Sequence, residues 1–379
     1  MRNYLYKILV FFLLFSCEDI YEDFPVPEAS TVPQFSYEIV DESNRIVEFT
    51  NESIIPESAG EASYTWSFGD GSNSSEASPT HTYTSFGEYT VKLVVITSSG
   101  DIVETSKVIN IIQPIDIDFS LFYMDTDLMQ IISVGQVNQE IPVSGFGTGI
   151  AIDRENEKIY FVDDDNLEIL RSDLDGSNTE VLYSGLTGAT NLTLDTDNNQ
   201  VFWTNRVDGT VHRGSMDGTI PEETIINSLA LPEGIAYFNG KIYISDVQVP
   251  PIGENIYVAN ANGTNLEVYV PGSWGYGLAV DPVNERLYFG DQGVYDDPND
   301  NRLRSVSLSD NTDIITVSEI EPIGSNGSRT YGIFVKTDEN KVYWSDRNSQ
   351  KIKRSNLDGS DVEVLVVSEG SPRGLAYSN

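Results

Sequence analysis

The chain has a single cysteine, Cys17, and only two histidines, His81 and His212, among 379 residues. One cysteine rules out a disulfide within the chain, and two lone histidines cannot make a His-rich zinc centre. Positive charge is scarce as well. Lys and Arg number 22 against 59 Asp and Glu, for a formal net charge of -37. Nucleic-acid affinity rests on neutralising phosphates with basic side chains, so that class is excluded. The apolar run Ile8 to Phe15 is far shorter than the ~20 residues that cross a bilayer as a helix. No Gly-x-Ser-x-Gly elbow, phosphate-binding Walker loop or histidine cluster occurs.

What is present begins with a separate leader. Arg2 and Lys7 precede the apolar run, and Leu14-Phe-Ser-Cys17 follows it. This order resembles the lipobox of bacterial lipoproteins, which implies cleavage before Cys17 and a lipid on the new N-terminus. The alternative is a secreted protein with a coincidental cysteine. The acidic stretch Glu18-Asp-Ile-Tyr-Glu-Asp23 with Pro25, Pro27 and Pro33 reads as an extended tether. It also resembles the surface-export signal of Bacteroidetes lipoproteins. The expected divisions are a signal peptide over 1–16, a tether over 17–33, a first domain over 34–113 and a second over 116–379.

Residues 34–113 read as short alternating strands broken by Gly, Ser, Asn and Pro, the pattern of a small β-sandwich. In Tyr64-Thr-Trp-Ser-Phe68 the period of two sends Tyr64, Trp66 and Phe68 to one face. Gly69-Asp-Gly-Ser72 supplies a turn, and Tyr89, Val91, Leu93 and Val95 line another strand. Together with Pro79-Thr-His-Thr-Tyr83 and Gly87, these residues closely resemble the PKD domain. One departure is Ser67, where that family usually has Asp. The resemblance implies an immunoglobulin-like spacer or adhesion module without catalysis. It makes His81 a structural histidine and Asp70 a turn cap, with a surface Ca²⁺ site left open.

The second region repeats a tetrapeptide about every 40 residues: Phe122-Tyr-Met-Asp125, Tyr160-Phe-Val-Asp163, Phe202-Trp-Thr-Asn205, Tyr243-Ile-Ser-Asp246, Tyr288-Phe-Gly-Asp291 and Tyr343-Trp-Ser-Asp346. A second motif precedes five of them: Gly149-Ile-Ala-Ile-Asp153, Asn191-Leu-Thr-Leu-Asp195, Gly234-Ile-Ala-Tyr237, Gly277-Leu-Ala-Val-Asp281 and Gly332-Ile-Phe-Val335. Its sixth copy, Gly374-Leu-Ala-Tyr377, comes at the end and can pair with the orphan first tetrapeptide. The expected fold is therefore all-β, a sandwich followed by a six-bladed β-propeller closed by the C-terminal strand. The tetrapeptides and the Leu-Asp-Gly elements after them (Asp175-Gly176, Asp217-Gly218, Asp358-Gly359) resemble the YWTD, or class B, repeat of low-density-lipoprotein receptors. That family uses the tetrapeptide aspartate structurally, which assigns Asp125, Asp163, Asp246, Asp291 and Asp346 to hydrogen bonds between blades.

In a propeller of this order the loops after the tetrapeptide and those entering the next inner strand share one face, here called the top. Surplus length falls there, at 247–255, 292–301 and 318–331. Thr148, Thr190, Glu233, Tyr276, Tyr331 and Arg373 ring the channel mouth. Trp274, Tyr276, Tyr295, Arg329 and Tyr331, with Glu233 and Arg373, are the candidate ligand-binding residues, because aromatics stack or anchor and Arg pairs with carboxylates. Gluconolactonase-like propellers, which share parts of the pattern, hold a divalent metal with Glu, Asn and Asp. Here only Glu233 and Asn191 offer oxygen, and Arg373 opposes a cation. No cofactor is called for, although Asp296-Asp-Pro-Asn-Asp-Asn301 leaves Ca²⁺ open.

The reading is a lipid-anchored, surface-exposed outer-membrane protein that binds a protein or glycan partner and no nucleic acid. A hydrolase or lyase using the channel mouth, and a subunit of an outer-membrane uptake or secretion complex, stay as alternatives. Lipidation makes a direct prediction. Fatty-acid labelling should mark the full-length chain and fail on Cys17→Ala; a labelled variant contradicts it.

Overall fold

A computed structural model describes residues 30–41, 44–112, 117–136, 138–145, 147–247, 254–273, 275–291, 302–319 and 330–378. Cys17 and most of the tether lie outside them. The chain divides into two compact units, Met1–Ile111 and Ile112–Asn379.

In the first unit Phe35–Asp41, Ile46–Asn51 and Thr80–Thr82 form a three-stranded sheet. Asn73–Ser74, Ala62–Ser67, Gly87–Thr97 and Ile102–Ile111 form a four-stranded one. Alternation brings Phe35, Val47 and Phe49 from one sheet against Trp66, Val91, Leu93, Val95 and Ile109 from the other, all essentially without exposure. The Trp66 indole meets Phe35 edge-on at 5.1 Å and donates Nε1–H to the Glu76 carbonyl at 3.0 Å. Tyr83 donates its buried hydroxyl to the Phe68 carbonyl at 3.1 Å. His81 stacks on Phe68 at 4.1 Å, and its Nε2 lies 2.8 Å from Asp70 Oδ2. Burial alone would raise the Asp70 pKa, but hydrogen bonds from Ser72 and His81 bring it below the usual carboxylate value. Both residues are consumed within the domain.

The second unit is six antiparallel sheets of four strands. Blade two shows the plan: Ile150–Asp153 at the channel, then Lys158–Asp163 with the tetrapeptide, then Glu168–Asp173 and Glu180–Ser184 outward. Blade one takes its inner strand, Pro372–Ser378, from the end of the chain. There Leu375 pairs with Tyr123, Ala376 with Phe122 and Tyr377 with Leu121, which closes the ring as the repeat offset requires. Neighbouring blades share their cores: Tyr160 and Val162 of blade two pack with Leu192, Val201 and Trp203 of blade three. Each large side chain removed from water in this way contributes ~1.5–3 kcal/mol.

Two local devices hold the inner ring. First, a Cβ on Gly149, Gly234, Gly277, Gly332 or Gly374 would fall against backbone of the next blade's inner strand or the residues entering it. The repeated glycine is thus a close-approach residue, and only blade three carries Asn191 in its place. Second, the hydroxyl at the third tetrapeptide position ties that segment down. Gly234 and Gly332 donate N–H to Ser245 and Ser345 Oγ at 2.8 and 2.9 Å, and Thr204 donates to the Glu233 carbonyl at 2.6 Å.

Aspartates hold the turns. Gly176, Gly218 and Gly359 have φ of 77°, 69° and 84°, and the Asp before each accepts the N–H two residues on. At the bottom ends of inner strands Asp153, Asp195 and Asp281 each accept from the backbone and the side chain of an Asn three residues later.

Candidate functional site

The tetrapeptide carboxylates face the connections at the top of the blades. Asp125 accepts the N–H groups of Asp127, Leu128 and, across the ring closure, Ser371 at 3.1, 3.2 and 3.0 Å, and a hydroxyl bond from Ser368. Asp246 accepts from Ala230 and Leu231 at 3.0 and 2.6 Å. Asp163 takes Ser144 and Asn166, Asp291 pairs with Arg304 at 2.6 Å, and Asp346 with Lys353 at 3.1 Å. All five are almost fully buried. Asp125, Asp163 and Asp246 spend their acceptor capacity on the loops that carry the mouth, whereas Asp291 and Asp346 pair with cations of the third strand of their own blades.

Three inner strands enter the mouth through a one-residue bulge. Between Pro232 and Ile235 the inner strand advances three residues while its partner advances two, and the same holds for Ala189 to Leu192 and Pro372 to Leu375. The residue pairs that stand opposite a single partner residue are Thr190-Asn191, Glu233-Gly234 and Arg373-Gly374. A bulge re-aims side chains that a regular ladder would hold in alternation.

Glu233, 6% exposed, is paired with Arg206, whose Nε lies 2.8 Å from Oε1. Asn191 Oδ1 accepts the Leu192 N–H at 2.8 Å, and Thr148 donates to the Thr190 carbonyl at 2.6 Å. Thr190 shares its hydroxyl with Thr204 at 3.0 Å. Arg373 lies 5.0 Å from the Tyr331 ring centre, and Arg347 lies 6.0 Å from the same ring. Burial lowers the Arg373 pKa and Arg347 adds to this, while Tyr331, Asp127 and Glu233 oppose it. Asp164, beside this group, is raised by burial and by Asp165 and Asp163, with Arg206 and Arg373 pulling the other way. Below the mouth a channel of about 310 Å³ runs between the six inner strands, with Thr148, Asn191 and Tyr331 among its lining and Arg154 and Tyr377 toward the bottom.

Sequence expectation and structure differ at the aromatics. Tyr276 and Tyr331 come together at 4.5 Å, but only 7% and 8% exposed and packed with Val247 and Leu231. Packed in this way, they are not anchors that can be truncated without cost to stability. Trp274, Tyr295, Arg329 and the acidic loop 296–301 lie outside the described residues. Arg206 and Arg347 were not singled out by sequence reasoning. The available signal was position, since each directly follows the fourth tetrapeptide residue, in blades three and six. His212, in the third strand of blade three, stacks on Trp203 at 5.5 Å and takes no part in the mouth. Among the described residues no three His, Cys, Asp or Glu side chains group as a metal site.

Comparison with known proteins agrees with this geometry. Residues 32–111 match the PKD domain family, and residues 340–376 match the low-density lipoprotein receptor repeat class B. The vitellogenin receptor of Solenopsis invicta is 26% identical over 202 residues, 52% of this chain and 10% of that protein. Collagenase ColA of Bacillus cereus is 44% identical over 57 residues, 15% of this chain and 6% of the collagenase. This chain therefore spans no more than a tenth of these relatives. Among solved structures, a chain of a nidogen/laminin complex aligns with TM-score 0.58 at 16% identity, covering 68% of this chain and 98% of that one. TolB of Acinetobacter baumannii aligns with 0.55 at 12% identity, covering 78% and 81%. A gluconolactonase of Xanthomonas campestris gives 0.51 at 14%, covering 69% and 89%. At such identities the likeness is one of fold. The molecule is a β-sandwich matching the PKD domain, followed by a six-bladed propeller whose last blade matches the class B repeat.

The buried tyrosines generate a prediction. Tyr331→Ala should cost the propeller about 3–5 kcal/mol, as for other buried aromatics, and lower its unfolding midpoint by several degrees. Tyr331→Phe should leave the midpoint nearly unchanged. Equal melting of Tyr331→Ala and the parent would show that the ring is not packed as described.

Proposed function

We propose that this chain is a binding or adhesion protein, held at the outer-membrane surface by lipid on Cys17. In this reading the propeller's top face takes a protein or glycan partner and the PKD domain serves as spacer. The observation that carries it is the set of bulges at the mouth, which take Glu233 and Arg373 out of the regular ladder. The bottom ends of inner strands, by contrast, close on self-satisfied aspartate turns. The surplus length that the sequence carries in blades four to six accords with this, because loops carry function on a rigid scaffold. A binding role is favoured over a metal-dependent hydrolase. Glu233 and Asn191, the residues that the sequence offers as metal ligands, already serve Arg206 and the Leu192 amide.

The test blocks one face at a time in the full-length lipidated protein. Val207, 71% exposed in the top turn after the blade-three tetrapeptide, and Ile220, 62% exposed in a bottom hairpin, are each changed to Cys and coupled to a polyethylene glycol maleimide. Cross-linked capture from intact cells should fall at least tenfold with Val207→Cys blocked and stay within twofold with Ile220→Cys blocked. The opposite pattern puts the partner on the wrong face for this reading.

A further inference from the structure

Six arginines of the propeller each hold a carboxylate: Arg171, Arg206, Arg213, Arg286, Arg304 and Arg354. Arg347 and Arg373 do not. Both lie against one ring, Tyr331, and among the described residues neither guanidinium has an ion pair or a hydrogen bond. The Nε of Arg373 is buried and donates to nothing. A buried donor without an acceptor is unfavourable, and a second guanidinium nearby adds repulsion. In a chain with 59 acids to 22 bases, two arginines against one ring with no carboxylate partner among the described residues are a place where negative charge would be favoured.

We propose that Arg347 and Arg373, over Tyr331, form a clamp for a single carboxylate brought to the propeller mouth. This rests on the reading of the top face as the binding face and names the group recognised there. The guanidinium fork matches a planar two-oxygen anion, and a charge-assisted bond to Arg373 Nε supplies the missing acceptor. The charge count limits the ligand to one negative group. Glu233 and Asp127 act on Arg373, Asp164 stands nearby, and the whole chain carries -37. A polyanion or a doubly charged phosphate meets repulsion at each of these levels, one carboxylate meets less of it, and a basic body around the carboxylate offsets the remainder. The carboxylate has two sources, an acidic side chain of a polypeptide or a free organic acid.

The experiment titrates the purified full chain, at constant ionic strength, with four probes: the peptide acetyl-Gly-Gly-Glu-Gly-Gly-amide, its Gln isostere, sodium acetate and inorganic phosphate. Calorimetry gives affinity, and the side-chain Nε–H resonance of Arg373 reports the site. The Glu peptide should bind at least tenfold more tightly than the Gln peptide and shift that resonance. Arg347→Gln and Arg373→Gln should each abolish the difference. Arg347 is only partly buried and makes no ion pair among the described residues, so its variant keeps the fold, as circular dichroism will check. A Glu peptide at least tenfold tighter than acetate assigns a polypeptide source, and acetate binding within tenfold of it assigns a free acid; either supports the clamp. Equal binding of Glu and Gln peptides, phosphate binding as tightly as carboxylate, unaffected Arg variants, or no binding by any probe at millimolar concentration overturns it. Should the clamp fail while blocking Val207→Cys still prevents capture, the binding face stands and only its chemistry is wrong.

Discussion

Six inner strands meet around one narrow channel, so close that main chain lies against main chain from blade to blade. Everything at the mouth follows from that approach. It demands residues without side chains, which is why glycine recurs at 149, 234, 277, 332 and 374. It leaves the amides there in need of local partners, which the third-position hydroxyls of Ser245 and Ser345 provide. The bulges then place the residue before the glycine, Glu233 or Arg373, outside the regular ladder. The packing requirement and the placement of charge are two consequences of one geometry.

The acidic composition has a structural share as well. Asp175, Asp217, Asp310 and Asp358 each accept the N–H two residues ahead, and hydrogen bonds from Ser or Thr hold all four below the usual carboxylate range. Five tetrapeptide aspartates and three at the inner-strand ends do comparable work. A propeller needs a tight turn at each end of every blade, and short acidic side chains are good local acceptors for such turns. The resulting excess of negative charge raises self-repulsion and at the same time makes any unpaired arginine conspicuous. Arg347 and Arg373 stand out against that background.

Much of this was legible in the sequence, because it is written as repetition. The offset between Gly374-Leu-Ala-Tyr377 and Phe122-Tyr-Met-Asp125 predicted the closing strand, and Trp66, Phe68, His81 and Tyr83 predicted the sandwich core. The mouth was less legible. The inner-strand motif is only about four residues long, too short for its alternation to show a one-residue bulge at its start, so the sequence put Glu233 and Arg373 at the mouth without showing the bulge that displaces them. Tyr276 and Tyr331 looked like ligand anchors because loop aromatics often are. Their mutual contact, and their burial with Val247 and Leu231, depends on three different blades and so is invisible locally. Arg206 and Arg347 lay one residue beyond the repeat, in a position the motif itself does not cover.

The mouth depends on the inner ring, and a thermal melt tests that dependence most directly. Gly374→Ala and Gly332→Ala each set a methyl group against neighbouring backbone, whereas Gly272, at φ 71° with nothing within 4 Å of an added Cβ, accepts Asn. The ring predicts that both alanine variants destabilise the propeller by about 2 kcal/mol or more, while Gly272→Asn melts like the parent. Alanine variants that melt no lower than Gly272→Asn would show that the inner strands do not meet backbone to backbone, and with that the origin proposed for the mouth would be lost.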